Sequence, residues 1–299
     1  MAPKLPNELV DAIISFIPEG PESRSGEERQ ALLNCALVCR DWLPASQHVL
    51  FSAVELGGPV AWGSFVRWVV DADEGRPWLA SIHSFTFKDQ WYRYGSASPR
   101  GLLPESISRW KGQHVVPILA GHLPNLEHLC LCVDWTRRQP HPSTFGMFAR
   151  FTALRKMHFD SCNFPSFSAF RRVLVSLPAL KDLGCEDVHW PSSPQPSILA
   201  IPTTRPALEI LRISFPCHGC ALAVLEWLIH TPTRSTLVQW DLDPDWPEES
   251  SRHQISLPNR DLDCYVQVFG PSVRRAHLCQ AEVRDNITGR YALPPLWHG

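Results

Sequence analysis

Leu126-Glu127-His128-Leu129-Cys130-Leu131 is the stretch that decides the fold. Its apolar residues fall at the first, fourth and sixth places, so Leu129 and Leu131 share one face of an extended strand while His128 and Cys130 share the other. The string recurs as Leu154-Arg155-Lys156-Met157-His158-Phe159, Leu180-Lys181-Asp182-Leu183-Gly184-Cys185, Leu208-Glu209-Ile210-Leu211-Arg212-Ile213 and Leu237-Val238-Gln239-Trp240-Asp241-Leu242. Weaker copies stand at Ile82–Phe87 and Val273–Leu278. From Leu126 to Leu237 successive copies begin 28, 26, 28 and 29 residues apart. Self-similarity at a period of roughly 20 to 50 residues is the mark of stacked supersecondary units.

The stretches between the strings read as helices. Phe170, Val173, Leu174 and Leu177 recur at helical spacing within 167–177, and Pro178 ends the run. Cys220 to Ile229 repeats the pattern ahead of Pro232, and Val115 to Leu123 is a shorter version closed by Pro124. One strand and one helix per unit predict an α/β solenoid, with a parallel sheet on the concave side and helices on the convex side. A conventional α/β domain with crossover helices is the competing architecture. Asp89 to Gly112 does not fit the period and reads as an insertion carrying Trp91, Tyr92 and Tyr94.

The first fifty residues are different. Leu9, Ile13, Phe16 and Ile17 line one face of a helix that opens at Pro6, and Val10 and Ile14 line a second. A helix apolar over so much of its circumference is either deeply buried or docks onto something. Two more apolar runs follow, Ala31 to Val38 and Trp42 to Phe51. Asp41 is expected to cap the last, with Pro44 in its first turn. The polar stretch Pro18 to Gln30 between the first two runs is expected to be a solvated loop.

Leu5-Pro6-x-Glu8-Leu9, the Ile13/Ile14/Phe16/Ile17 cluster and Leu37-Val38-Cys39-Arg40-x-Trp42 resemble the F-box, a three-helix module that binds the Skp adaptor of cullin–RING ubiquitin ligases. The repeats behind it look like the irregular leucine-rich-repeat domain of fungal F-box-like proteins. The likeness implies an F-box over residues 3–52 and a repeat domain over 60–299. It implies that Leu5, Pro6, Leu9, Ile13, Ile14, Phe16, Leu37, Val38 and Trp42 form or support the adaptor interface, and that the chain reaches a cullin through that adaptor. The function implied is substrate recognition in an SCF-type ligase, with no cofactor and no bond chemistry of its own. This chain departs from the pattern where asparagine is expected to close each strand's turn, since Trp135, Cys162, Val188, Pro216 and Pro244 or their neighbours stand there.

On the strands, the positions between the apolar ones face outward and are expected to meet the target. They include His128, Lys156, His158, Asp160, Asp182, Glu186, Arg212, Asp241 and Asp243. The later strands lean acidic, which suits a partner with a basic face, although ordinary solvated charges give the same pattern. Cys130 should neighbour His158 and Cys132 should neighbour Asp160. A thiol beside an imidazole is the minimum for an activated thiolate, and Cys, His and Asp together are zinc-ligand types. Nothing supplies an oxyanion hole or a third orienting group, so neither a catalytic nor a metal site is assigned. Cys217-His218-Gly219-Cys220 is the only Cys-x-x-Cys in the chain and lacks the second pair a structural zinc needs.

Composition narrows the alternatives. The net charge of −2 and the isolated pairs Arg137-Arg138, Arg171-Arg172 and Arg274-Arg275 make no basic stripe, which argues against nucleic acid. No run reaches about eighteen uninterrupted apolar residues, so no membrane span is expected. Glu8 and Asp11 break the only early apolar stretch, so no secretory signal is expected, and Asn286-Ile287-Thr288 reads as a chance glycosylation motif. Ten cysteines without framework spacing suit reduced thiols in the cytoplasm or nucleus. Two readings from other classes stay open: a repeat scaffold whose helical module is only a cap, and an enzyme using the Cys130/His158 region.

Overall fold

The computed structural model describes residues 6–17, 26–72, 76–89, 115–136, 139–191, 204–214, 218–242, 268–269 and 272–278. The Asp89–Gly112 insertion falls outside them apart from Asp89. Three helices come first: α1 (Asn7–Ser15), α2 (Gly26–Val38) and α3 (Leu43–Ser52). Helix α2 starts earlier than its apolar run, taking in five residues expected to be loop. Glu27 and Glu28 lie in its first turn, where carboxylates favour the positive helix end, and a charged exposed face costs the helix nothing. The N-cap of α3 is Trp42 rather than the expected Asp41, with proline in the first turn as anticipated.

Eight strands follow among the described residues, in one sheet whose spatial order is the chain order: β1 (Ala53–Gly57), β2 (Ser84–Lys88), β3 (His128–Cys132), β4 (Lys156–Asp160), β5 (Asp182–Glu186), β6 (Ile210–Ser214), β7 (Gln239–Leu242) and β8 (Arg275–Leu278). All seven pairings are parallel. Among the described residues no strand inserts between earlier ones, so their order does not reverse as it does in a doubly wound sheet. The architecture is α/β and advances in one direction, compatible with a solenoid-like fold. The sheet begins at Ala53, ahead of the expected start at 60, because Val54 and Leu56 already pack against the core.

Each unit repeats the same backbone bond. The carbonyl of the residue preceding the strand accepts two N–H groups from the next unit: His83 from Glu127 and His128, Glu127 from Arg155 and Lys156, and Arg155 from Lys181 and Asp182. Lys181, Glu209 and Val238 continue the series. The leading leucines (Leu126, Leu154, Leu180, Leu208, Leu237) are all buried, as are the inward columns Leu129/Met157/Leu183/Leu211/Trp240 and Leu131/Phe159/Cys185/Ile213. Alternation continues past the strands, with Val133, Cys162 and Val188 buried in one row and Trp135, Phe164 and Trp190 in the next.

Helices close the other side of this core. They are α4 (Gly58–Phe65), which runs into a π-turn at Val66–Val70, α5 (Arg76–Leu79), α6 (Val115–Leu119), α7 (Ser143–Gly146), α8 (Phe167–Ser176), α9 (His218–Leu228) and α10 (Thr233–Thr236). Helix α8 shows why the periodicity was readable. Ser166 caps it by accepting the Ala169 N–H, and Phe167, Phe170, Val173 and Leu174 turn inward together. In α10, Thr233 stitches units: its buried hydroxyl donates to the Pro206 carbonyl (2.9 Å) and accepts the Leu208 N–H (3.1 Å).

Candidate functional site

The helical module has a core of its own, formed by Val10, Ile14 and Leu32 with Ile17, Trp42, Ala45, Val49 and Leu50 packed around it. Because Val10 and Ile14 turn inward, the rest of α1's apolar circumference must turn out. Phe16 is 85% exposed, Leu37 84% and Val38 63%, and Leu9 and Ile13 are also exposed. Of the residues expected at an adaptor interface, these five lie on the surface with Pro6. Ile14 is fully buried and Trp42 half-buried, so both stand behind that surface. Leu5 lies outside the described residues. Leu33 and Leu43 join the exposed apolar set. Both sit in runs where the sequence shows apolar character but not which side faces the small core.

On the sheet, the register is the one the repeat implies. His128 lies opposite Lys156, Cys130 opposite His158, Lys156 opposite Asp182, and Asp160 opposite Glu186. The β3–β4 ladder ends at Leu131 and Phe159, so Cys132 and Asp160 are not a ladder pair. There the thiol of Cys162 takes over, accepting the Val133 N–H (3.4 Å) and donating to the Leu131 carbonyl (3.0 Å). A buried cysteine thus bridges two units at a place where asparagine was expected.

The outward face is more closed than its polar sequence suggests. Cys130 and Cys132, expected to face the concave side openly, are buried. Burial first, and the Asp160 charge second, push the Cys130 thiol up to about 12. That is opposite to what a nucleophilic thiolate requires. The His158 ring occupies the space over Gly184, where a Cβ would collide with Nδ1, and its Nε2 lies 3.7 Å from Glu186 Oε2. Burial holds His158 below its ordinary pKa, against the opposing pull of Glu186 and Asp160. Among the described residues no group of three or more His, Cys, Asp or Glu is arranged to hold a metal ion. Cys217 lies outside them, so the Cys217/Cys220 pair is not described.

The acidic lean is largely balanced within the sheet. Arg212 Nη1 donates to both carboxylate oxygens of Asp182 (2.8 and 3.0 Å), and its Nε lies 3.4 Å from Asp241 Oδ2. Gln239 also donates to Asp241 (2.8 Å), and Lys88 pairs with Glu55 (2.8 Å). Asp160 accepts the Ser161 hydroxyl, Glu186 stays exposed beside His158, and Asp243 lies outside the described residues. His128 Nδ1 sits 3.3 Å from the Ser84 hydroxyl.

A further feature, without a marker in the residue pattern, lies just past the strand ends. Ser161 and Asp187 hold equivalent places after β4 and β5, and both have φ of +51°. Non-glycine residues adopt this left-handed conformation at a cost of about 1–2 kcal/mol each. The turn lets three successive tails run parallel, with bridges linking Asp134 to Asn163 and Asn163 to His189. Between the tails is an open depression of about 450 Å³ lined by Thr136, Ser161, Asn163, Asp187, His189, Trp190 and Pro191. His189 Nε2 lies 3.1 Å from Asp187 Oδ1, and Trp190 is fixed against Phe167 and Phe170 (5.2 and 5.5 Å between ring centroids).

No helix among the described residues is long and apolar enough to cross a membrane. No protein-family model matches the chain, and no curated protein matches it in sequence.

Proposed function

We propose that the chain is the substrate-recognition subunit of an SCF-type cullin–RING ubiquitin ligase, working in the cytoplasm or nucleus. On this reading the helical module is an F-box that docks on a Skp adaptor, and the sheet is an irregular leucine-rich-repeat surface that captures a protein target. The observation that carries it is the exposure of Leu9, Ile13 and Phe16 at α1 and of Leu37 and Val38 at the end of α2, left in solvent by a module whose own core is small. Exposed apolar surface concentrated in one small module points to an interaction site. Holding a target near a ubiquitin-charged enzyme raises the local concentration of its lysines, which is the whole of the chain's contribution to the reaction. The test is capture of a Skp adaptor by the full chain and by its Phe16→Asp variant. Phe16 is almost wholly exposed, so its loss bears on docking and not on folding.

A second reading, a non-ligase repeat scaffold with a helical cap, draws on the join between module and sheet. Helix α3 runs directly into β1, Phe51 stacks on Trp78 at 5.3 Å, and His48 Nδ1 meets the Ser81 hydroxyl at 3.0 Å. A cap needs these contacts, but it has no use for the outer face of α1 and the end of α2.

A further inference from the structure

We infer that the depression past the ends of β4 and β5 is a receptor for an arginine side chain presented by a short protein segment. The inference rests on the proposed role in target capture and gives that target a chemical feature. The cavity lies within the size range of small-ligand sites, roughly 300–1,000 Å³. Its lining divides by chemistry. Trp190 and Pro191 are its apolar members, and Trp190 packs against Phe167 and Phe170. Other lining residues bring acceptors: the Asp187 carboxylate, the carboxamide oxygen of Asn163 and the hydroxyl of Ser161. The Asn163 carboxamide makes no hydrogen bond among the described residues, while Asp187 is steadied by His189 through Oδ1.

Arginine matches both halves. Its methylene stem suits an apolar wall, its flat guanidinium stacks on an aromatic ring, and its five N–H donors meet a carboxylate and neighbouring acceptors in one plane. Lysine offers neither the plane nor the fork. A carboxylate ligand would face the Asp187 carboxylate, and the described lining holds no lysine or arginine to offset it. Thr136 follows β3, Ser161 and Asn163 follow β4, and Asp187, His189, Trp190 and Pro191 follow β5, so the lining draws on three consecutive units. One unit alone would not make the site.

The probe is the capped tripeptide acetyl-Gly-Arg-Gly-amide, titrated into the full chain while the His189 and Trp190 side-chain resonances are followed by NMR. The same peptide with citrulline, which keeps the shape and loses the charge, and one with glutamate are run beside it. The expected result is a saturable shift with arginine, at least tenfold weaker with citrulline, absent with glutamate, and at least tenfold weaker in Asp187→Asn. Asparagine tolerates the left-handed backbone at 187, so this variant keeps the turn. Equal binding of arginine and citrulline, binding retained in Asp187→Asn, or no saturable shift would overturn the inference. Adaptor affinity, measured on the same preparation, separates the two ideas. A chain that binds adaptor but not the arginine peptide overturns the site alone. A chain that binds the peptide but not adaptor keeps the cation site and removes its assignment to a ligase target.

Discussion

The imidazole of His158 stands in the space that a side chain on Gly184 would fill, one strand away in the parallel ladder. Strand β4 can therefore carry a large ring on its outward face only because β5 carries none. Gly184→Ala must push the ring aside, and overpacking of this kind costs about 1–3 kcal/mol. Urea unfolding should show that loss, and the double variant His158→Ala/Gly184→Ala should recover most of it. Additive losses in the pair would mean that the two residues do not share the space.

His158 also makes stability depend on pH. Its folded pKa lies below the ordinary 6.5, chiefly because burial penalises the charged ring. As pH falls below about 6.5 the unfolded chain takes up this proton first, so the native state loses stability until the lower folded value is passed, and the loss then levels off. Above 6.5 the contribution is complete. Unfolding curves between pH 5 and 8 should show a shallower fall for His158→Gln than for the wild type; identical slopes would contradict this.

Arg212 holds Asp182 and Asp241 together across three strands. With Asp182 more buried than the arginine itself, removing the cation leaves both carboxylates without their shared partner. Arg212→Ala should cost about 1–3 kcal/mol, in the range of hydrogen bonds to charged groups. Asp182→Asn should recover part of that loss when combined with it. Charge reversal at Asp182 therefore disturbs the sheet as well as any partner, and Glu186 is the cleaner position for probing a basic target.

Thiol reactivity follows burial. Cys39 is exposed, whereas Cys130, Cys162 and Cys185 are buried, and burial raises the pKa of each of those three. Brief treatment with a thiol reagent followed by peptide mapping should find Cys39 labelled and those three unlabelled until the chain is unfolded. Labelling of Cys130 as fast as Cys39 would restore the activated-thiolate reading of the Cys130/His158 pair.

The repeat was legible because the same leucine returns at nearly constant spacing and must be buried each time, which fixes strand, register and direction together. Cys130 against His158 followed from that register alone. What the residues do once side by side was less legible. Alternation marks Cys130 as outward but does not reveal that its neighbours bury it. The acidic lean of β5 and β7 was visible, whereas the guanidinium lying between them depends on a reach across strands. The left-handed turns at Ser161 and Asp187 left no trace, since neither residue is the glycine that usually marks such a turn. In the helical module the apolar surplus was plain, but the inward side is chosen by three small contacts, Val10, Ile14 and Leu32, that periodicity does not single out.

The most direct measurement is the affinity of the full chain for a Skp adaptor by titration calorimetry, beside Phe16→Asp and Leu37→Asp, with unfolding curves showing all three equally stable. Tight binding, weakened in each variant by at least about thirtyfold, corresponding to about 2 kcal/mol for a central apolar anchor, is the predicted result. A folded chain that does not bind, or binding that both substitutions leave unchanged, would contradict the account.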